Sequence, residues 1–177
     1  MDSCYNTKNN RHGLTWCNSS GQAVAAEYTV TTNSVTVVGS DYAWNGSGYT
    51  FTQMCWDSTN ECYLLASSKS NNGWYGAVRL MNPGQFSSPP GNQWDVGGSK
   101  KPYGLEHDPN AGQTCLLYAH TNGTLYLQST TSVNTTSGAI TAGTAVQVNS
   151  GNPDGGTFKG AGMTYDPNAK KFVITYC

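Results

Sequence analysis

The sequence predicts an all-β protein, an array of repeated antiparallel units of four strands with no significant helix. Three observations predict it. A self-similar unit recurs along the chain, its residues alternate at the two-residue period of a strand, and Gly, Asn, Pro and Ser cluster between the apolar runs. No segment carries an apolar stripe at helical spacing.

The unit is clearest at Met54-Cys55-Trp56-Asp57-Ser58-Thr59-Asn60-Glu61-Cys62-Tyr63-Leu64-Leu65-Ala66. Leu105–Ala111 followed by Cys115–Ala119 is its counterpart, and Met163–Ala169 followed by Phe172–Tyr176 is another. A weaker first copy is Leu14-Thr15-Trp16-Cys17-Asn18 followed by Ala23–Ala26. Units therefore start near 14, 54, 105 and 163, at steps of 40, 51 and 58 residues within a single repeat domain, 1–177. Such spacing, with several short strands per unit, fits a propeller-like array.

Each element of the unit has a physical reading. The pairs Met54/Trp56, Leu105/His107 and Met163/Tyr165 put two side chains on one face of a first strand. Asp57, Asp108 and Asp166 then open a turn, and Asp-Pro-Asn-Ala is identical at 108–111 and 166–169. Asp accepts local backbone hydrogen bonds and Pro presets the angle of a type I turn. An apolar second strand follows at Tyr63–Leu65, Leu116–Tyr118 and Phe172–Ile174. Asn72-Gly73 and Asn122-Gly123 lead into third strands at Trp74–Leu80 and Thr124–Gln128, Asn-Gly being a strong hairpin signal. Fourth strands are expected at Gln93–Val96 and Ala145–Val148. The last unit stops after its second strand, so the expectation is three units and a part, completed by a longer chain or by a neighbouring subunit.

Composition narrows the function. Only 11% of residues are charged, against roughly 25% in an average domain. Aromatics reach 11%, which argues against disorder. A net charge of -1 with nine scattered Lys and Arg leaves no basic stripe for nucleic acid. Apolar runs such as Cys115–Ala119 are too short to span a bilayer. Met1-Asp2-Ser3-Cys4 does not open a signal peptide, so the expectation is assembly inside a cell, as for virion proteins, or a signal removed or never included. The six cysteines have neither Cys-x-x-Cys nor zinc-finger spacing, and no metal or other cofactor is expected. Cys55 and Cys62 flank a turn, where a cross-strand disulfide and two buried free thiols are both open.

The pattern of Met54–Ala66 with Trp74–Val78, Leu105–Ala119 and Met163–Tyr176 resembles propeller-like repeat modules of marine bacteriophage tail-fibre and other virion surface proteins. These segments cover under half the chain, and the first unit departs from the pattern, with Cys17-Asn18 where the others carry Asp. The resemblance implies a virion structural or fibre protein, oligomeric with other virion subunits, that contacts host-surface glycans. The alternative is a glycan-binding, lectin-like β-propeller outside any virus and extracellular.

Catalysis finds little support. The three turn Asp residues read as caps, and the Ser-x-Asp-x-Gly-x-Thr-Trp box of sialidases is absent. His12, His107 and His120 form no triad pattern, no Gly-x-Ser-x-Gly elbow occurs, and the protein is not expected to be an enzyme. Aromatic rings beside Gly and Asn offer an apolar face and a polar edge to sugars. Trp44, Tyr49, Trp74 and Tyr75 are the binding candidates, with Trp44 and Tyr49 expected to be exposed in a loop-like stretch. Trp74, Tyr75 and Trp94 also fit strand patterns, where packing between units would use them.

Overall fold

The computed structural model describes residues 1–46, 48–69, 75–86, 92–149 and 160–177. All its regular structure is β, and every strand pairing is antiparallel. β1 (Asp2–Asn6), β2 (Arg11–Cys17), β3 (Ala23–Thr31) and β4 (Ser34–Ala43) form the first sheet in chain order. β5 (Tyr49–Asp57), β6 (Cys62–Lys69), β7 (Tyr75–Met81) and β8 (Gln93–Gly98) form the second. The third holds β9 (Lys100–Asp108), β10 (Gln113–His120), β11 (Leu125–Val133) and β12 (Ile140–Ala142), with β13 (Val146–Gln147) also on β11. β14 (Ala161–Asp166) and β15 (Lys171–Tyr176) make a fourth, two-stranded sheet.

The repeat begins one strand earlier than its sequence match suggests. Leu14–Cys17 lies in β2, a second strand, so the unit start near 14 is displaced. The true counterpart is Tyr5-Asn6 at the end of β1. Asn6 Oδ1 accepts from the amides of Lys8 and Asn9 at 3.0 and 3.2 Å. Asp57 does the same for Thr59 and Asn60 at 3.0 and 2.9 Å, Asp108 for Asn110 and Ala111 at 2.8 and 3.2 Å, and Asp166 for Asn168 and Ala169 at 2.9 and 3.1 Å. The four turns thus recur at 6, 57, 108 and 166, and the first two steps are equal. Each turn closes on a left-handed residue, Asn10, Glu61, Gly112 or Lys170, with φ between 52° and 66°. Gly112 alone of these adopts that angle without a Cβ penalty.

The sheets stack face to face in chain order, and the alternation along each strand decides which neighbour a side chain meets. Every residue from Cys62 to Ser68 in β6 is buried. Tyr63 and Leu65 join Ala23, Ala25 and Met54 between the first and second sheets. Their neighbours Cys62, Leu64 and Ala66 join Leu105, Leu116 and Tyr118 between the second and third. Leu117 and Ala119 point the other way, against Met163 and Ile174 of the fourth sheet. The first strands lie along one side of this stack, β5 against β1, β9 against β5 and β14 against β9.

Two junctions are also polar. Glu27 is fully buried between the first two sheets and accepts from Arg11 Nη1 (3.0 Å), Tyr63 Oη (2.8 Å) and the Gly84 amide (2.8 Å). Asp57, also fully buried, accepts from Asn60 Nδ2 (2.9 Å) and from Thr114 Oγ1 (3.4 Å) of the third sheet. Backbones approach closely where the fourth sheet meets the third, and a Cβ on Gly104 would lie 2.6 Å from the Met163 Cβ.

Asp57→Ala is expected to cost about 2–4 kcal/mol in urea unfolding, because it removes an acceptor of the buried Thr114 hydroxyl in the third sheet together with its own turn bonds to Thr59 and Asn60, whereas Asp166→Ala, whose turn is exposed, costs about 1 kcal/mol. Gly104→Ala is expected to destabilise the same transition by about 1–3 kcal/mol, since the Met163 Cβ is on rigid backbone and cannot swing aside.

Candidate functional site

The four first strands end together, and side chains at matching positions of the repeat converge on one open cleft of about 570 Å³. The residue before each turn Asn or Asp supplies a ring: Tyr5, Trp56, His107 and Tyr165. Two residues before it stand Cys4, Cys55 and Glu106, and Asp2 completes the floor. Thr7, Ser58, Pro109 and Pro167, each just after its turn Asn or Asp, form the rim.

Two of the rings, His107 and Tyr165, are held by the turn of the preceding unit. His107 Nε2 lies 3.3 Å from Thr59 Oγ1, and Nδ1 lies 3.1 Å from Thr114 Oγ1 and 3.5 Å from Asp57 Oδ1. Burial lowers the His107 pKa, with the Asp57 and Asp108 charges acting in the opposite direction. Asn110 Nδ2 donates to Tyr165 Oη at 2.5 Å. Trp56 packs edge-on against Tyr63, with ring centroids 5.0 Å apart.

Glu106 is the perturbed acid of the site. Burial pushes its carboxyl from an ordinary 4.5 up to about 7, and the Asp2 charge adds to the shift. Asp2 itself accepts from the amides of Ser3 and Met54, both at 2.9 Å. Burial, and then the same two carboxylates, raise the Cys4 thiol. Cys55 is raised by burial first and by the Cys4 and Glu106 charges after it. Thiols held in this way stay protonated at neutral pH and are poor nucleophiles. Among the described residues, no three His, Cys, Asp or Glu side chains are grouped to hold a metal ion.

Neither of the two loop aromatics is where the sequence suggested. Trp44 is only 2% exposed and sits in the core between the first two sheets. Its amide donates to Ala23 O (2.9 Å) and its carbonyl accepts from Arg79 Nη1 (3.0 Å), which ties the backbone at Trp44 to the first and second sheets. Tyr49 opens β5, half-buried against the same cluster. Trp74 and the side chain of Tyr75 lie outside the described residues. Trp94 packs against the core between the second and third sheets. Asp57, Asp108 and Asp166 cap their own turns. The Cys55–Cys62 bridge is not formed: register sets Cys62 opposite Asp57 and Cys55 opposite Leu64, and both thiols are free.

The sequence reading missed Tyr5 and Glu106. Tyr5-Asn6 carries Asn where the other units carry Asp, and Glu106 stands at the position of Cys55, a substitution that no composition signal marks. No protein-family model matches the chain, nor does any curated protein or solved structure.

Folding takes up a proton at Glu106, because the folded carboxyl releases it near 7 and the unfolded one near 4.5. Stability is therefore expected to fall as pH rises across that window and to level above it. In thermal melts Glu106→Gln abolishes this decline and raises Tm at pH 8 by about 2–4 °C, with a smaller effect at pH 4.5.

Proposed function

We propose that this chain is a surface-exposed binding module of a phage virion, built on a propeller-like array, whose cleft takes a host-surface glycan. One observation carries the reading: matching side chains of four repeats meet in a single open cleft that combines rings with hydrogen-bonding groups. Sugars suit such a lining, since an aromatic face stacks on C–H groups while Glu106, Asp2 and Ser58 address hydroxyls. Antiparallel sheets stacked in order along their first strands support a propeller-like reading, and the low charge and abundant Tyr and Trp suit a virion surface.

The lectin-like alternative uses the same cleft and differs in where the protein resides. Hydrolysis is the weaker reading. Glu106 beside Asp2 is an acidic pair in a cleft, which is the observation that favours it.

The test is a glycan array on the purified chain, followed by calorimetry on any ligand found. Binding is expected, weakened about tenfold by Tyr165→Ala and unchanged by Trp44→Phe, with the glycan recovered intact. Absence of binding, or binding indifferent to Tyr165→Ala, rejects the cleft. Cleaved glycan makes the protein an enzyme. Co-sedimentation with particles separates the virion reading from the free lectin.

A further inference from the structure

We infer that the glycan taken by the cleft carries a free ammonium group, an amino sugar without an N-acyl cap, held at the carboxyl groups of Glu106 and Asp2. This rests on the glycan reading of the cleft and narrows it. Rings alone accept neutral, acidic and basic sugars, and the charges of the lining separate the three.

The cleft is anionic without a cation to match. Asp2 and Glu106 line it, and among the described residues none of the lining is Lys or Arg. Lys8, next to Thr7 on the rim, is ion-paired with Glu61, and Arg11 is ion-paired with the buried Glu27. Met1, beside Asp2 in sequence, is 89% exposed and outside the lining. Burial lowers the pKa of His107, so its ring is neutral at neutral pH. The Cys4 and Cys55 thiols are protonated there and add no charge.

The two carboxyl groups are not equally satisfied. Asp2 accepts from the Ser3 and Met54 amides, which hold it in place and leave its charge. Glu106 has burial and the Asp2 charge acting on it, both raising its pKa, with no hydrogen bond to offset them. An ammonium at this point supplies donors and a positive charge together, and it favours the ionised form of Glu106. An acidic sugar adds a third negative charge, and a neutral one leaves the repulsion as it is.

Trp56 adds a second requirement, independent of charge. It lines the cleft, is 8% exposed, and its Nε1 has no acceptor among the described residues. A buried indole N–H ordinarily has a partner. The ligand that completes this cleft therefore offers an oxygen to Trp56 and a cationic donor to the carboxyl groups, and an amino sugar carries both. Tyr5 and Tyr165 add rings that attract an ammonium through their π-systems.

Calorimetry at pH 6.5 tests this with disaccharides of glucosamine and of galactosamine, each with free and with N-acetylated amines, and with a disaccharide of glucuronate. A free-amine form is expected to bind at least about tenfold more tightly than its acetylated partner and than the glucuronate. Glu106→Gln removes most of that preference, leaves the affinity for the acetylated form within about twofold, and keeps the circular dichroism of the parent. An acetylated or acidic sugar that binds as well as the amine overturns the inference, as does a preference that survives Glu106→Gln. In either case a response to Tyr165→Ala leaves the glycan cleft standing. If no sugar of the panel binds, the amine inference is overturned, and the wider glycan array then decides whether the cleft falls with it.

Discussion

The structure depends on one constraint: the second sheet is apolar on both faces and must be covered on both. β6 makes this plain, with seven successive residues from Cys62 to Ser68 buried. A strand in a sheet that faces water on one side alternates between apolar and polar residues, and β6 does not. Its odd and even positions serve different neighbours, Tyr63 and Leu65 one, Leu64 and Ala66 the other. Each of those leucines contributes about 1.5–3 kcal/mol by leaving water. Removing either flanking sheet would expose half of them, so the sheets stand or fall as neighbours.

Stacking has a geometric consequence at the first strands. Because β1, β5, β9 and β14 run along one side of the stack, whatever each carries at its turn end is brought to one place. The turns are built from local bonds, an Asn or Asp oxygen accepting from two amides, and so hold their shape without help from the core. Their outward atoms remain available to the next unit. Thr59 and Asp57 use them on His107, and Asn110 uses them on Tyr165. The cleft is thus a by-product of the repeat, furnished by residues that differ from unit to unit.

Those differences give the cleft its character. A repeat with one identical residue at the Cys4 position would present a symmetric ring of groups. This chain places two thiols and a carboxyl there, and the Asp2 charge adds to the burial that raises that carboxyl. Protonated Glu106 is a hydrogen-bond donor at mildly acidic pH and an acceptor above about 7. Glu27 and Asp57, buried outside the cleft, give their oxygens to donors that include groups from adjoining sheets.

By itself the sequence determined the all-β class, most of the strand positions and the turn chemistry of Asp57, Asp108 and Asp166. These are local properties, set by a period of two and by side-chain-to-backbone bonds spanning three residues. It also carried the repeat, although Asn6 in place of Asp hid the first copy and Leu14-x-Trp16 imitated it. Only the tertiary structure decided which face of each strand meets which neighbour, since alternation labels two faces without naming their partners. That is why Trp44, in a stretch composed like a loop, is core, and why Glu106, an unremarkable acid in the sequence, stands in the cleft. It is also why Cys55 and Cys62 are not bridged: the number of residues in a turn, not the spacing of cysteines, fixes the register that sets Asp57 opposite Cys62.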